Sequence, residues 1–232
     1  MNKLIFTLVF TLVFTLVISP SQRIYAADNV VLNEQLSRKL RHHQVVQGEF
    51  KQSRILAGIP RPIRSSGRFI YWRDHGLYWE TREPISQAST FTPNAIIHWL
   101  SATDLQQTER SSSPIQNQIS RILLAVFGGD MESLQQLFDS NWGSSSTQQW
   151  TVDLIPSMAA VKRVVKKISL SGGEYVTSLS LDASNGDATQ IQFSNISAFN
   201  QPGVDDCQYF DLERALCRGD KTQTSSSNTN KP

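Results

Sequence analysis

Residues 48–84 read GEFKQSRILAGIPRPIRSSGRFIYWRDHGLYWETREP, and their strand-like runs carry large apolar side chains on both faces. A strand with a core on one side only alternates apolar and polar residues. On one parity the large apolar side chains are Phe69, Tyr71, Leu77 and Trp79, and on the other they are Ile70, Trp72 and Tyr78. Each face therefore needs an apolar cover: the protein's own core on one side, and a second layer or an apolar ligand on the other.

The first residues are typical of a secretory signal peptide. Lys3 precedes the apolar run of residues 4–18, and small residues follow at positions 26–27. The run is shorter than the ~18–20 apolar residues that span a bilayer, so a retained membrane anchor is the weaker interpretation. We expect residues 1–26 to be removed and the mature chain to be soluble in an oxidising compartment.

The charge of the mature chain disfavours one class of partner. Without residues 1–26, which carry Lys3 and Arg23, the sequence holds 20 basic and 20 acidic residues. A nucleic-acid-binding protein usually carries a clear basic excess, so we expect no nucleic-acid partner. Roughly 200 residues suit a single β-rich domain with a sizeable core.

Apolar periodicity predicts one opening helix followed by a sheet. Leu32, Leu36 and Leu40 recur every four residues and predict a helix over residues 30–42. The sequence Asp-His-Gly at residues 74–76 is a good hairpin turn, because glycine tolerates a positive φ. Strands are predicted over residues 45–55, on both sides of this turn, and over residues 88–92, 95–100, 150–155, 164–170, 175–181 and 189–196.

One segment breaks the β pattern. Residues 115–138 read as helical with an interruption at Gly128 and Gly129, after which Asp130 suits the N-cap of a second short helix. The first helix carries an apolar stripe, whose candidate lid residues are Ile119, Leu123, Val126 and Phe127. Such helices need an apolar surface to lie on. They are either a fixed plug at one end of the sheet or a hinged lid with the glycines at the joint.

Four motifs, in their order along the chain, are similar to those of one family. They are VQGEFKQ at residues 46–52, GRFIYWR at 67–73, LYWETREP at 77–84 and GDATQIQFSNI at 186–196. Over residues 30–198 the chain resembles the periplasmic outer-membrane lipoprotein carrier family (LolA-like). The resemblance implies a mainly β fold with α: an open, strongly curved antiparallel sheet, an incomplete barrel, capped by helices over an apolar cavity. We expect this carrier domain to span residues 27–203.

The resemblance also implies a function. We expect a periplasmic monomer that shields the acyl chains of a lipoprotein or other lipid in its cavity and delivers the cargo towards the outer membrane. The implied partners are the lipidated protein or lipid cargo, an inner-membrane exporter and an outer-membrane acceptor. The candidate cavity residues are Phe50, Phe69, Tyr71, Leu77, Trp79, Phe91 and Trp99, all of which would also suit an ordinary core.

Arg73 matches the family's arginine that holds the lid. A guanidinium near the mouth of the cavity can donate to carbonyls that have no partner at the ends of the lid helices. The alternative for Arg73 is an exposed charge at the end of a strand. The resemblance therefore implies a lid latch at this position, without excluding the simpler role.

Two departures from the family pattern indicate a specialised paralogue that serves a lipid or glycolipid pathway. Residues 92–95 read TPNA where the family has Asp-Gly-Lys, and residues 54–64 read RILAGIPRPIR, unlike the general carrier. A basic cluster follows later in the chain at Lys162, Arg163, Lys166 and Lys167. This cluster is either a solvated face or a contact for anionic head groups or an acidic partner.

The C-terminal part carries both cysteines of the chain, Cys207 and Cys217. An oxidising compartment permits a disulfide between them. The disulfide would require a hairpin or a broken turn, because a continuous helix would hold the two cysteines roughly 15 Å apart. We expect residues 204–217 to form a separate segment with a possible disulfide, and residues 218–232, which are polar throughout, to be a disordered tail.

Two other classes of protein compete with a carrier. An enzyme is disfavoured, because the sequence has no Gly-x-Ser-x-Gly, His-Glu-x-x-His, Gly-x-x-x-x-Gly-Lys or Cys-x-x-Cys motif. The four histidines, His42, His43, His75 and His98, are too scattered to indicate a metal site, and we expect no cofactor. A periplasmic lipoprotein-sensing regulator of similar fold is the alternative, although such regulators usually carry a further domain for a membrane partner.

Overall fold

The computed structural model describes residues 43–99, 108–144 and 149–210. The signal peptide over residues 1–26, the helix over residues 30–42 and the polar tail over residues 218–232 lie outside the described residues. Cys217 lies outside them as well, so these four features stay predictions.

Eleven strands form one antiparallel sheet. They are β1 (Val45–Ile55), β2 (Ile63–Trp72), β3 (Gly76–Glu83), β4 (Gln87–Phe91), β5 (Ile96–Trp99), β6 (Thr108–Ser111), β7 (Phe138–Ser144), β8 (Trp150–Pro156), β9 (Val165–Gly172), β10 (Val176–Ala183) and β11 (Ala188–Phe199). The order across the sheet is β6-β5-β4-β3-β2-β1-β11-β10-β9-β8-β7, so two meanders are joined where β1 pairs with β11. Because β6 and β7 do not pair with each other, the sheet is open, as predicted.

The chain crosses from one edge of the sheet to the other through two helices. Helix α1 (Pro114–Gly128) follows edge strand β6, and helix α2 (Met131–Gln135) precedes edge strand β7. Two shorter helices, α3 (Ala159–Lys162) and α4 (Val204–Cys207), lie in later connections. Helices α1 and α2 therefore lie in the connection between the two edge strands of the open sheet.

Local capping fixes where α1 and α2 begin and end. Ser113 Oγ accepts a hydrogen bond from the Gln116 amide at 3.2 Å and caps α1. Gly129 has a φ of 65°, the left-handed conformation that commonly ends a helix, and Asp130 caps α2 by accepting from the Ser133 amide at 3.2 Å. The predicted interruption between two helices is confirmed at these residues.

One face of the sheet, the helix-side face, packs against α1 and α2 in the larger core. Phe50 stacks on Trp79 with ring centroids 3.9 Å apart. Phe127 of α1 reaches the sheet, with its ring centroid 5.1 Å from that of Phe69 and 5.4 Å from that of Phe193. Since Phe127 is 7% exposed and Phe69 is 1% exposed, the helix fills the space over the middle of the sheet.

The opposite face also carries a buried apolar cluster. Its members are Val45, Ile70, Tyr78, Ala88, Ile97 and Trp99. The cover is the C-terminal strap, residues 203–210, from which Tyr209 stacks on Tyr78 at 4.0 Å and Phe210 meets Trp72 edge-on at 5.4 Å. The apolar residues on both faces of residues 69–79 are thus explained by two layers, one helical and one made by the strap.

The strands that the sequence did not predict are β6 and β7, the two edges of the sheet. The sequence Thr-Glu-Arg-Ser of β6 is polar, and β7 reads FDSNWGS, which is rich in turn-forming residues. An edge strand pairs on one side only, so it needs fewer apolar side chains than a central strand. The prediction that Phe138 belongs to a helix is wrong, because this buried residue begins β7 opposite Pro156.

Candidate functional site

Six of the seven candidate cavity residues lie together on the helix-side face. They are Phe50, Phe69, Tyr71, Leu77, Trp79 and Phe91. The strand register explains this, because Leu77 lies opposite Tyr71 on β2 and opposite Phe91 on β4. Four of the six are at most 5% exposed, whereas Trp79 and Phe91 are partly buried at the margin of the core.

Trp99 does not join them, and its prediction as a cavity residue is wrong. It lies three residues after Ile96, which pairs with Phe91, and successive side chains point to opposite faces of a strand. Trp99 is therefore on the strap-side face, where its indole donates to Thr90 Oγ1 at 3.0 Å. The Thr90 hydroxyl in turn donates to the Tyr209 carbonyl at 2.9 Å, which ties the strap to this face.

Three of the four candidate lid residues lie against the core of the helix-side face. Val126 and Phe127 are buried in the core, and Leu123 packs against its margin. Ile119 is 43% exposed, so its prediction as a residue of the buried stripe is wrong. Ile122 and Ala125 are buried instead, at the helical spacing of three and four residues that leads to Val126. The apolar stripe of the sequence already contains Ile122, and Ala125 follows it at a spacing of three residues.

The contact between α1 and the middle of the sheet, around Phe69 and Phe127, is closely packed. A cavity of about 10 Å³ lies among Val46, Phe69, Phe127, Val176 and neighbouring side chains. A cavity needs about 10–15 Å³ of space for the centre of a water-sized sphere to hold one water molecule, so this cavity admits no acyl chain. The six gathered residues are therefore packed core in this arrangement, and α1 occupies the space that the resemblance assigns to a ligand.

Arg73 lies at the end of α1, as a latch would. Its Nη1 donates to the Gly128 carbonyl at 3.3 Å, and its Nη2 donates to the His43 carbonyl at 3.1 Å. Gly128 is the last residue of α1, where carbonyls have no partner within the helix. A Cβ added at Gly128 would lie 2.5 Å from the Tyr71 hydroxyl, so this approach of helix and sheet requires glycine. The geometry fits the predicted latch, while the role of Arg73 stays a prediction.

A cleft of about 550 Å³ opens beside this contact. Its lining includes Arg73 and Asp74 from the β2–β3 turn, Gln118 and Arg121 from α1, and Gln136 after α2. Gln118 Nε2 is buried, and it has no hydrogen-bond partner in the part of the chain that the structure describes. The cleft is therefore lined by polar side chains next to apolar ones, and no pattern in the sequence indicates it.

The strap-side face is held by a charged network around Arg68. Arg68 forms an ion pair with Glu80 and a second one with Asp206 of the strap at 3.2 Å. Its guanidinium also donates to the Tyr209 hydroxyl at 3.1 Å and lies over the rings of Tyr78 and Tyr209. Burial opposes the charged form, but the Glu80 carboxylate outweighs this effect and raises the pKa of Arg68 above its ordinary value. Arg68 thus fastens the strap to the sheet.

The remaining sequence predictions concern cysteine, metals and membranes. Cys207 is buried and disulfide-bonded, and its predicted partner Cys217 lies outside the described residues. Within residues 43–99, 108–144 and 149–210, no cluster of three or more His, Cys, Asp or Glu side chains could hold a metal ion. In the same part of the chain, no helix has the length and apolar character needed to cross a membrane.

The match to a family model identifies the class of protein. Residues 41–206 match the model described as "Outer membrane lipoprotein carrier protein LolA", and the chain therefore belongs to this family. Among the curated proteins, none matches the chain in sequence. Family membership agrees with the open antiparallel sheet and its helical cover.

Several solved structures are similar to the chain. A LolA-superfamily protein of Nitrosomonas europaea is 10% identical, with 78% of this chain and 98% of that chain covered and a TM-score of 0.43. A chain of the MucA/MucB complex of Pseudomonas aeruginosa is 14% identical, with 79% of this chain and 60% of that chain covered and a TM-score of 0.43. The lipoprotein LppX of Mycobacterium tuberculosis is 9% identical, with 76% and 97% covered and a TM-score of 0.41.

Proposed function

We propose that this protein is a periplasmic carrier that shields the acyl chains of a lipoprotein or other lipid between α1 and the helix-side face. The observation that carries the proposal is the aromatic layer formed by Phe69, Phe127 and Phe193 at the contact between a helix and an open sheet. An acyl chain in water forfeits about 0.8 kcal/mol for each exposed CH₂ group. Phe69 and Phe193 of the sheet can exchange their contacts with Phe127 of α1 for contacts with an acyl chain at little loss of apolar burial.

The proposal requires α1 to move away from the sheet, and two features of α1 favour this movement. The helix ends at Gly128 and Gly129, where the chain turns in the left-handed conformation. Asn117 Oδ1, Gln118 Nε2 and Ser120 Oγ on α1 are buried and have no hydrogen-bond partner within the described residues. A buried polar group without a partner costs about 1–3 kcal/mol, so each of these groups that gains a partner when α1 moves would offset part of the cost of the movement.

The cleft beside Arg73 suits the polar end of the cargo. The guanidinium group of Arg121 and the amide of Gln118 line it, and they can donate to carbonyl, carboxylate or phosphate oxygens. Cargo bound with its acyl chains beneath α1 and its polar end in this cleft would break the contact between Arg73 and Gly128. Release would then be aided when that contact re-forms in the empty protein.

The carrier would work as a monomer, taking cargo from an inner-membrane exporter and giving it to an outer-membrane acceptor, without catalysis. The test is native mass spectrometry of the mature protein purified from the periplasm without detergent. We expect an added mass that extraction identifies as a lipid or a lipidated protein. A bare protein that also takes up no palmitoylated peptide in a titration would contradict the proposal and favour the lipoprotein-sensing regulator.

A further inference from the structure

Exposed apolar side chains gather at one end of the sheet. Six large ones are 44–73% exposed there: Ile55, Ile59, Ile63, Ile85, Met158 and Val164. Of the other exposed large apolar residues in the described part of the chain, Ile119 lies on α1 and Phe199 ends β11 at the opposite end. The strand register brings the six together at this end of the sheet. Strands β1, β3, β8 and β10 end here, and strands β2, β4, β9 and β11 begin here.

Three of the connections at this end form a continuous surface, which we call the rim: residues 54–64, 157–166 and 184–187. Asp187 Oδ1 accepts from the Ala57 amide at 2.9 Å, and Asp187 Oδ2 pairs with Arg54 at 3.6 Å. Ser184 Oγ donates to the Lys162 carbonyl at 2.7 Å, and the Ser184 amide donates to the Val164 carbonyl at 3.1 Å. The middle connection is thus bonded to both of its neighbours, which joins the three connections into one surface.

The rim is basic although the chain as a whole is nearly neutral. Its exposed basic residues are Arg54, Arg61, Arg64, Lys162, Arg163 and Lys166. Asp187 is the acidic residue of the rim, and its charge is met by the Ala57 amide and Arg54, which lower the pKa of its carboxyl. Arg61 and Arg64 form no ion pair with any described residue, so their charge is available to a partner.

We propose that the rim docks on the surface of a membrane that contains anionic lipids. Ile55, Ile59 and Ile63 would enter the boundary between head groups and acyl chains, while the neighbouring arginines lie along the lipid phosphates. Protruding apolar side chains beside basic residues suit a lipid surface, because acyl chains contact the apolar groups and anionic head groups attract the basic ones. From β2 to β9 the rim crosses four strand spacings of ~4.8 Å, roughly 19 Å, and so presents an edge of several lipid widths.

The membrane proposal does not depend on cargo binding, and neither does its test. The purified protein is mixed with vesicles of equal parts phosphatidylglycerol and phosphatidylcholine, or of phosphatidylcholine alone, and bound protein is measured by flotation. We expect binding to the anionic vesicles that weakens with added salt, and much weaker binding to the neutral ones. The paired variant R61E/R64E and the paired variant I55S/I59S should each lose at least about tenfold in affinity.

Phe199→Ser is the matched control, since it removes an equally exposed apolar side chain at the other end of the sheet. This variant should bind vesicles as the unmodified chain does, and thermal unfolding should be unchanged in all variants because the altered side chains are exposed. The proposal would be overturned if the unmodified chain bound no vesicles or bound both vesicle types equally. It would also be overturned if both rim variants bound as tightly as the unmodified chain. Uptake of a palmitoylated peptide in solution, which tests the carrier function, should be the same in the rim variants.

Discussion

At the scale of single residues, Tyr78 makes the strap-side face sensitive to alkaline pH. Burial, followed by the nearby Glu80 carboxylate and Tyr209, raises the pKa of Tyr78 above its ordinary value of 10.0. As pH rises, the unfolded chain therefore ionises this tyrosine before the folded chain does. The stability that neutral Tyr78 contributes is complete below about pH 10 and is lost above it.

Tyr78→Phe tests this effect, since it keeps the ring and removes the hydroxyl. Between about pH 8 and pH 11, we expect the urea midpoint of the unmodified protein to fall further than that of Tyr78→Phe. The measurement is urea unfolding followed by circular dichroism at both pH values. Equal falls in the two proteins would mean that the titration of Tyr78 has no part in alkaline unfolding.

Arg73 is the residue whose change most directly tests the latch. Arg73→Ala removes the hydrogen bonds to the Gly128 and His43 carbonyls, so we expect the free energy of unfolding to fall by about 1–3 kcal/mol. Because the lost contact belongs to the closed, empty form, the affinity for a palmitoylated peptide should rise, by up to about tenfold. Thermal unfolding and peptide titration measure the two effects.

Arg82→Ala is the control for this change. Arg82 is an exposed strand arginine whose ion pair is with Glu80, away from α1. The substitution Arg82→Ala should leave the affinity for the palmitoylated peptide unchanged. An Arg73→Ala protein that binds the peptide less tightly, or as tightly as Arg82→Ala does, would mean that Arg73 does not hold the lid closed.

At the scale of elements, the contact between the end of α1 and β2 depends on a missing side chain. A Cβ at Gly128 would lie 2.5 Å from the Tyr71 hydroxyl, so Gly128→Ala should push α1 away from the sheet. We expect a loss of about 1–3 kcal/mol in the free energy of unfolding and faster uptake of a palmitoylated peptide. Stopped-flow fluorescence of a labelled peptide measures the uptake rate.

A second substitution separates this steric effect from a general loss of stability. Tyr71→Phe removes the oxygen that the new methyl group would meet, so G128A/Y71F should regain part of the stability lost in G128A. Its uptake rate should also move back towards that of the unmodified protein. If the double variant is less stable than the sum of the two single changes predicts, a clash with the Tyr71 hydroxyl does not explain the effect of Gly128→Ala.

The central strands could be predicted from the sequence, whereas the edges of the sheet could not. In β1, β2 and β3 the apolar residues and the turn at Asp74 mark both the strands and their register. The polar edge strands β6 and β7 are defined by backbone pairing to a single neighbour, which leaves little trace in side-chain pattern. Apolar runs thus predict the central strands of an open sheet better than its edge strands.

At the scale of the whole molecule, the sequence indicated that both faces of the sheet need a cover but not which segment covers each. The strap reaches Tyr78 through Tyr209, a residue more than a hundred positions away, and no local pattern encodes such a contact. For the same reason the seven cavity candidates included Trp99, which faces the strap. The family resemblance located Arg73, while its partner at Gly128 came only from the folded structure.

The proposed carrier function requires acyl chains to bind between α1 and the helix-side face. The most direct measurement uses a palmitoylated peptide with a photoreactive diazirine near the end of its acyl chain, crosslinked to the protein and mapped by mass spectrometry. We predict adducts on α1 and on the helix-side face, at residues such as Phe69, Phe127 and Phe193. Adducts confined to the rim or to the strap-side face around Ile70 would contradict the account.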